Sequence, residues 1–322
     1  MARYLVTGGA GFIGSHIVHA LLARGDSARI LDDLSSGRRE NLDGLEVGEP
    51  GSGAPVELLQ GDICDPQAAR AGCVGTAGVF HEAAQVSVPR SVEDPQASYA
   101  INAMGTLQML EAARAEGVPR FVFAASSAAY GDSEELPKRE GMAANPLSPY
   151  AAGKLAAEHL LGVWGRQYGL KTVALRYFNI FGPRQADDSP YTGVIALFAS
   201  ALLEGRPVTI FGDGQQSRDF TFVDNAVQAN LLAMDADLDE PGAVINVGTG
   251  ERVSVLDLYR RMAELLGSDA EPELAPPRAG DVRHSLASLD RARALLGYEP
   301  VVGWKDGLET TVDWYRKRRQ EA

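Results

Sequence analysis

The chain has 322 residues, 45% of them hydrophobic and 23% charged, a composition typical of a globular protein with a large buried core. Its formal net charge of -13 argues against a nucleic-acid-binding surface. No signal peptide precedes the first predicted strand and no apolar run approaches the roughly 20 residues of a membrane span, so we expect a cytoplasmic protein that does not contact membranes.

The chain contains two cysteines, Cys64 and Cys73. So few cysteines in a chain of this length suit a reducing compartment in which both are small buried groups, although a disulfide between them stays open. Without histidine or carboxylate partners at ligand spacing they do not form a metal site, and we expect none.

Apolar runs alternate with helical patterns through the first half of the chain. This alternation predicts α/β units and a doubly wound parallel sheet of the Rossmann type. The predicted strands are Tyr4–Thr7, Ala28–Leu31, Val56–Gln60, Gly78–Phe80, Arg120–Ala125 and Thr172–Tyr177. The stretch Asn41–Pro55 is rich in Gly and Pro, which indicates a surface loop and a candidate for mobility.

A glycine-rich turn follows the first predicted strand and leads into a helical pattern over Ser15–Leu22. The run Gly8–Gly14 fits both G-x-G-x-x-G and G-x-x-G-x-x-G. Glycine lets a pyrophosphate approach the backbone, and the helix N-terminus offers N–H donors. Strand, turn and helix together predict a dinucleotide-binding loop, although such turns also serve plain chain reversal. The predicted contacts of this loop are Gly8, Gly11, Phe12, Ile13 and Gly14.

Acidic residues end the second and third predicted strands. Asp32 follows the glycine loop at about the sequence offset at which an acidic residue reaches the adenosine ribose of a dinucleotide. A carboxylate there repels a 2′-phosphate, which favours NAD over NADP. The alternative is that Asp32 caps the next turn. Asp62 is placed to meet the adenine amino group, with Ile63 packing on the ring. Equally, Asp62 is a candidate N-cap of the following helix.

The fourth predicted strand ends in His81-Glu82-Ala83-Ala84-Gln85. The small side chains of Ala83 and Ala84 let the backbone lie close to a ligand, and Gln85 joins them among the predicted cofactor contacts. We expect His81 to be a structural residue, and Glu82 has no assignable role.

Three side chains predict chemistry at a carbinol. The buried strand Arg120–Ala125 delivers Ser126 and Ser127 at its carboxyl end, where open α/β sheets bind ligands. On a helix, Tyr150 and Lys154 lie one turn apart on the same face. A hydroxyl, a phenol and an ammonium brought together can transfer protons, so we predict Ser126, Tyr150 and Lys154 as the catalytic residues.

With these motifs the chain resembles the extended short-chain dehydrogenase/reductases, and within them the nucleoside-diphosphate-sugar 4-epimerases. The matching segments are Thr7–Gly14, Asp62–Ile63, His81–Gln85, Ser126–Gly131, Tyr150–Lys154, Tyr177–Asn179 and Arg278–Asp281. For the cofactor, NAD, the resemblance implies that Asn102 supports the active-site strand or the cofactor, and that Tyr177 lies near the nicotinamide.

For the substrate, the resemblance implies contacts by Asn179, Val194, Arg218, Arg278 and Asp281. The two arginines serve the pyrophosphate and uridine, and Asp281 serves the ribose. Guanidinium groups match phosphate oxygens, although an ordinary surface ion pair is the alternative. The resemblance makes Phe211 the platform on which the uracil stacks, with plain core packing as the rival interpretation.

Departures from neighbouring subfamilies narrow the substrate. The 4,6-dehydratases of this family carry an Asp-Glu pair where this chain has Ser127 and Ala128. Ser285 stands where many epimerases restricted to glucose and galactose have a tyrosine, so a 2-acetamido group has room. The resemblance implies a UDP-sugar 4-epimerase; the rivals are an NAD(P)-dependent nucleotide-sugar reductase or oxidoreductase and a non-catalytic NAD-binding sensor.

The regular alternation ends after Asn179. We therefore expect a Rossmann domain over residues 1–180 and a smaller α/β substrate-binding domain over 181–322, with some segments, such as Ala243–Val247, returning to the main sheet. The second half is predicted to contain a polar loop, three helices, a strand and an extended segment, at Asp187–Tyr191, Gly193–Leu203, Val253–Leu266, Gly307–Arg319, Val208–Gly212 and Glu271–Pro277. The resemblance also implies a homodimer, in which the helices after Ala97 and Tyr150 are the candidates for pairing with the second subunit.

Overall fold

The computed structural model describes residues 1–186, 193–277 and 282–321. Its strands, in chain order, are β1 (Arg3–Thr7), β2 (Ser27–Asp32), β3 (Val47–Gly48), β4 (Val56–Gln60), β5 (Val79–His81), β6 (Arg120–Ser126), β7 (Lys171–Tyr177), β8 (Ile180–Phe181), β9 (Thr209–Phe211), β10 (Ser217–Arg218), β11 (Thr221–Phe222), β12 (Ala243–Val247), β13 (Val253–Ser254) and β14 (Glu273–Ala275).

Eight of these strands form one sheet in the order β12-β7-β6-β5-β1-β2-β4-β3. Every neighbouring pair in it is parallel. The chain winds outward in both directions from β1 and β5, so the strand order reverses between these two strands. In open α/β sheets a ligand crevice lies at the carboxyl ends of the strands at such a reversal.

Helices cover both faces of the sheet, which confirms the doubly wound α/β prediction. They are α1 (Phe12–Ala23), α2 (Pro66–Cys73), α3 (Val88–Glu93), α4 (Pro95–Tyr99), a π-helical turn (Ala100–Gly105), α5 (Thr106–Ala115), α6 (Pro149–Tyr168), α7 (Val194–Leu203), α8 (Val223–Asp235), α9 (Val255–Leu266), α10 (Asp290–Leu296) and α11 (Trp304–Glu321). Helices α2, α5 and α6 pack on one face, whereas α1 and α8 pack on the other.

Helix α6 carries two of the predicted catalytic residues, and its ends follow from local sequence. The Ser148 side chain accepts a hydrogen bond from the Ala151 N–H, and Pro149 occupies the first turn. The helix ends at Gly169, whose φ of +73° is a left-handed conformation that glycine adopts without strain.

The six strands predicted in the first half are confirmed, each within a residue or so at its ends. The prediction of a plain loop over Asn41–Pro55 is wrong in part. A 3-10 turn spans Arg39–Leu42, and β3 pairs with β4 at the edge of the sheet. Both cysteines are free thiols, but only Cys73 is buried, whereas Cys64 is partly exposed.

The second half contributes β12 to the main sheet beside β7, as expected for Ala243–Val247. It also forms three two-stranded sheets, which pair β8 with β11, β9 with β14 and β10 with β13. Helices α7, α9 and α11 confirm the predicted helices, although Val253–Ser254 forms β13 instead of the first turn of α9. The predicted loop at Asp187–Tyr191 lies outside the described residues.

Among the helices that the structure describes, none has the length and apolar character needed to cross a membrane.

Candidate active site

The glycine loop joins β1 to α1 beside the end of β5. A Cβ atom on Gly14 would lie 2.2 Å from the Gly8 carbonyl oxygen, and one on Gly11 would lie 3.0 Å from it. Gly8 has a φ of +66°, and a Cβ there would lie 2.9 Å from the Ala83 nitrogen. Positions 8 and 14 therefore accept only glycine without a shift of the backbone around them. Helix α1 begins after Gly11 without a side-chain cap, so its first N–H groups are available to a phosphate.

Phe12 and Ile13, the other predicted cofactor contacts of this loop, are the first two residues of α1. The Phe12 ring meets the edge of the His16 imidazole, with centroids 5.9 Å apart. Ile13 packs partly buried against the main core. The loop residues thus fit a dinucleotide pyrophosphate by backbone shape and by the N–H groups of α1.

Asp32 ends β2 and is buried at 6% exposure. Its carboxylate accepts hydrogen bonds from the N–H groups of Ala10 in the glycine loop and Leu34 in the next turn, both at 2.9 Å. Burial raises the pKa of Asp32, and these hydrogen bonds oppose the rise. Both interpretations thus have a structural basis, because the carboxylate caps the turn and lies at the loop.

Asp62 follows β4 and is exposed, with its carboxylate accepting from the Cys64 N–H at 2.8 Å. The alternative that Asp62 is the N-cap of α2 is wrong. Asp65 caps that helix through the Gln67 N–H, and Pro66 forms its first turn. Ile63 is buried at 5% exposure.

The segment after β5 is held in place from both sides. The His81 ring hydrogen-bonds the hydroxyls of Thr7 and Thr106 at 2.7 and 3.0 Å, and burial lowers its pKa to about 3. This confirms His81 as a structural residue. The Asn102 amide accepts from the Gln85 N–H and donates to the Gln85 carbonyl, both at 3.0 Å.

Asn102 reaches Gln85 from the π-helical turn Ala100–Gly105, a type of irregularity that often marks functional sites. This double hydrogen bond fixes the backbone that contains Ala83 and Ala84, both partly buried, against the glycine loop. Asn102 therefore anchors the segment that follows β5.

Ser126, Tyr150 and Lys154 come together at the carboxyl end of β6. Burial raises the pKa of the Tyr150 phenol, and a hydrogen bond with the Ser126 side chain opposes this rise. Lys154 is buried at 3% exposure and donates a 2.8 Å hydrogen bond to the Ala124 carbonyl oxygen. Burial lowers the pKa of Lys154 to about 8, and the Glu82 carboxylate acts in the opposite direction.

Tyr177 ends β7 directly beside Ser126, with which it is paired in the sheet register. Its hydroxyl donates to the Glu82 carboxylate at 2.9 Å and accepts from the Asn230 amide at 2.6 Å. Sequence reasoning gave Glu82 no role and did not single out Asn230. A carboxylate at the end of a buried apolar strand was the available signal for Glu82.

The residues predicted for the sugar side converge from both halves of the chain. The Asn179 amide, in a backbone with a φ of +35°, donates to the Ser285 hydroxyl at 3.4 Å and to the Asp219 carbonyl at 3.2 Å. The Ser285 N–H donates to the Ser217 carbonyl at 3.0 Å, which brings it next to Arg218 on β10. Ser127 begins the 3-10 turn that follows β6.

The buried carboxylate of Asp219, which sequence reasoning missed, organises this region. It accepts from the N–H groups of Thr249, Gly250 and Ala287 at 2.8 to 3.1 Å, and the Thr249 hydroxyl also donates to it at 2.7 Å. Such a ring of donors around one carboxylate has no local sequence pattern, because the partners lie on separate segments.

Two further predicted substrate contacts, Val194 and Phe211, lie on α7 and β9. Val194 begins α7 and is partly buried. Phe211 ends β9 and is partly buried, and its carbonyl accepts from the Gln216 amide at 2.7 Å. Its partial exposure places it outside the fully buried core. Arg278 and Asp281 lie outside the described residues.

The chain matches the model of the "NAD dependent epimerase/dehydratase family" over residues 4–248. A curated relative, the UDP-glucose 4-epimerase of Mycolicibacterium smegmatis, is 42% identical over 319 residues, which cover 99% of this chain and 100% of the relative.

Solved structures agree with this match. The UDP-N-acetylglucosamine 4-epimerase of Methanobrevibacter ruminantium, in complex with UDP-N-acetylmuramic acid, superposes with a TM-score of 0.91 at 37% identity, covering 98% of this chain and 99% of that one. The UDP-glucose 4-epimerase of Thermus thermophilus, in complex with NAD, gives a TM-score of 0.85 at 41% identity with the same coverage. The extent of these matches and the geometry of the site show that this chain belongs to the NAD dependent epimerase/dehydratase family.

Proposed function

We propose that this chain is an NAD-dependent UDP-hexose 4-epimerase. It interconverts UDP-glucose with UDP-galactose, and UDP-N-acetylglucosamine with UDP-N-acetylgalactosamine, through a transient 4-keto sugar. The observation that carries the proposal is the grouping of Ser126, Tyr150 and Lys154 at the end of β6. The glycine loop, in which positions 8 and 14 have no room for a Cβ atom, supports it as a site for the cofactor. A reductase would share this grouping, and its net use of cofactor distinguishes it.

Tyr150 is the general base and acid of the proposed reaction. NAD, when bound, supplies the oxidation and reduction at C4 of the sugar. Tyr150 removes the proton from the O4 hydroxyl and later returns it, while Ser126 hydrogen-bonds O4. Ionising a tyrosine with a pKa of about 10 at pH 7 costs about 4 kcal/mol. Burial adds to this cost in the structure, so the Lys154 ammonium is needed to stabilise the phenolate.

Epimerisation requires that the enzyme bind the nucleotide tightly and leave the sugar free to rotate. In the proposed complex, Arg218, Arg278, Asp281, Val194 and Phe211 bind the UDP portion. Small side chains surround the sugar, because Ser127, Ala128 and Ser285 stand on that side. The 4-keto sugar then rotates about its pyrophosphate link and is reduced on its other face, which inverts C4.

Ser285 is the residue that we propose allows acetamido sugars to bind. Its hydroxyl is in hydrogen-bonding contact with Asn179, which is proposed to contact the sugar nucleotide. A small residue at this point leaves volume for a 2-acetamido group. The same small residues argue against a dehydratase, since Ser127 and Ala128 supply no acid or base for eliminating water.

We also propose the cofactor preference, the domain division and the location of this protein. We propose that Asp32 selects NAD, because its carboxylate lies at the glycine loop and would repel a 2′-phosphate. We keep the division into a cofactor domain over residues 1–180 and a substrate domain over 181–322, and a cytoplasmic location, as proposals.

We also propose a homodimer that pairs the faces formed by α4 and α6. A groove of about 550 Å³ on this face is lined by uncharged residues, Pro95, Gln96, Tyr99, Ala100, Met104, Pro149 and Ala152. Tyr99 and Met104 are 45% and 52% exposed in the single chain. In a chain with a net charge of -13, an uncharged apolar face suits contact with a second copy.

The test is product analysis. Purified protein is incubated with UDP-glucose and, separately, with UDP-N-acetylglucosamine, and the nucleotide sugars are separated and identified. The proposal predicts the 4-epimer without a lasting change in nicotinamide absorbance. A lasting change together with stoichiometric cofactor use would favour the reductase or oxidoreductase, and no conversion with added NAD, NADH or NADPH would reject both enzymes.

A further inference from the structure

Glu82 brings a carboxylate into the site that the chemistry above does not use. Its N–H donates to the Thr7 carbonyl at 3.2 Å. Its own carbonyl carbon would lie 3.2 Å from a Cβ atom on Gly8, so the backbone here packs tightly on the glycine loop. Glu82 is therefore held firmly where the nucleotide loop meets the end of β5.

The Glu82 side chain reaches across the strand end to Tyr177. The Tyr177 hydroxyl donates to the Glu82 carboxylate at 2.9 Å. The Asn230 amide donates to that hydroxyl at 2.6 Å and to the Ala226 carbonyl at 2.9 Å. These hydrogen bonds fix the Tyr177 ring between α8 and β5, next to Ser126 in the sheet register.

The sheet register also brings Glu82 close to the anchor of Lys154. His81 pairs with Phe123, so the next residue, Glu82, follows alongside Ala124. Neighbouring strands lie about 4.8 Å apart. The Lys154 ammonium is bonded to the Ala124 carbonyl oxygen and lies 4.6 Å from the Phe123 ring centroid. The Lys154 ammonium and the Glu82 carboxylate thus belong to the same strand end, where each favours the charged form of the other through its charge.

We propose that Glu82 is a positioning residue that keeps Lys154 protonated and holds the Tyr177 ring in place. The inference rests on the proposed function, in which the Lys154 charge stabilises the Tyr150 phenolate. A neutral Lys154 would leave that phenolate unsupported, so the activity depends on Glu82 through Lys154 without any contact between Glu82 and the substrate.

Glu82 and Lys154 are both charged only within a narrow range of pH. Burial raises the pKa of Glu82 to about 7, against which the Tyr177 hydrogen bond and the Lys154 charge act. With the pKa of Lys154 lowered to about 8, both groups are charged together mainly between these two values. His81 is neutral there because its pKa is about 3, and Tyr150 and Tyr177 are neutral because burial raises the pKa of each.

The first test compares pH profiles of turnover for the wild-type protein, Glu82→Gln and Tyr177→Phe. Glu82→Gln keeps the size and a hydrogen-bond acceptor but removes the charge, so the alkaline limb of kcat moves to lower pH by about one unit. Tyr177→Phe removes the hydrogen bond to Glu82 and keeps the Glu82 carboxylate. The alkaline limb of kcat in this variant therefore stays at the wild-type pH, even if kcat itself is lower. An unshifted limb in Glu82→Gln, or an equal shift in Tyr177→Phe, would overturn the inference.

A second test needs no turnover and separates this inference from the proposed function. The pKa of the Lys154 ammonium itself is followed by NMR titration in the wild-type protein and in Glu82→Gln, with Tyr177→Phe as the control. The inference predicts a lower pKa of Lys154 in Glu82→Gln than in the wild-type protein, because the carboxylate that favours the charged ammonium is gone. An equal pKa of Lys154 in these two proteins rejects the role of Glu82, whereas a wild-type protein without epimerase activity rejects the proposed function alone.

Discussion

Tyr150 carries the proton transfer in the proposed reaction, and its phenol is harder to ionise than that of a free tyrosine because it is buried. Phenylalanine keeps the ring and removes the exchangeable proton. We expect Tyr150→Phe to lower kcat about 1000-fold, within the range that general acid–base groups contribute, while UDP binding persists.

Tyr168→Phe is the matched control for this change. Tyr168 ends the same helix, is 52% exposed and packs against the Arg114 guanidinium at 4.8 Å, a contact that a phenyl ring keeps. Steady-state turnover and circular dichroism of both variants make the comparison. Wild-type turnover in Tyr150→Phe would remove Tyr150 from the mechanism.

Ser285 sets the proposed tolerance for acetamido sugars. Its backbone is tied to Ser217 and its hydroxyl lies by Asn179, so a tyrosine here would fill the space beside the sugar. We expect Ser285→Tyr to lower kcat/KM for UDP-N-acetylglucosamine by about 10- to 100-fold relative to UDP-glucose. Ser285→Ala keeps the space and should keep the ratio. An unchanged ratio in Ser285→Tyr would show that another residue limits the substrate.

The turn between β1 and α1 is the element on which cofactor retention depends. Alanine at position 14 would place its Cβ atom 2.2 Å from the Gly8 carbonyl oxygen, a backbone atom that moves only with the loop. We expect Gly14→Ala to weaken NAD binding by about 10- to 100-fold, since such overpacking costs about 1–3 kcal/mol.

Gly141→Ala is the control for this element, because a Cβ atom there has no other heavy atom within 4 Å. Calorimetric titration of cofactor-free protein with NAD gives both affinities, and thermal unfolding checks that each variant is folded. Equal affinities for Gly14→Ala and wild type would show that the loop does not hold the pyrophosphate.

Long elements were predictable from the sequence because their patterns are local. β6 is a continuous apolar run, and the spacing of Tyr150 and Lys154 placed both on one face of α6. Two-residue strands such as β3 and β13 are shorter than the period that a pattern needs. The cap of α2 was assigned to Asp62 as an alternative, although Pro66 after Asp65 marks the real start.

The site was predictable where the motif lies within one segment and was missed where it does not. Glu82 and Tyr177 are separated by 95 residues, and their contact depends on the order of β5, β6 and β7 in the sheet. Asp219 likewise collects partners 30 and 68 residues away. No local periodicity encodes such contacts, since the topology creates them.

At the scale of the whole molecule, the proposed dimer buries the apolar face of α4 and α6. A glutamate at Met104 would place an unpaired charge in that contact, so Met104→Glu should weaken dimerisation by about 3 kcal/mol, more than 100-fold. Val301→Glu, at a residue that is 63% exposed and does not line this groove, is the control. Light scattering over a dilution series measures both. A Met104→Glu dimer as tight as wild type would place the interface elsewhere.

The whole molecule performs one reaction in the proposed account, in which C4 of the sugar is oxidised and reduced again within a single binding event. The most direct measurement uses UDP-glucose that carries deuterium at C4, with purified protein and without added NAD, and analyses the products by NMR and mass spectrometry. The account predicts UDP-galactose that retains the deuterium at C4. A product that has lost the label, a 4-keto sugar that accumulates with reduced cofactor, or no epimer even after NAD is added would contradict it.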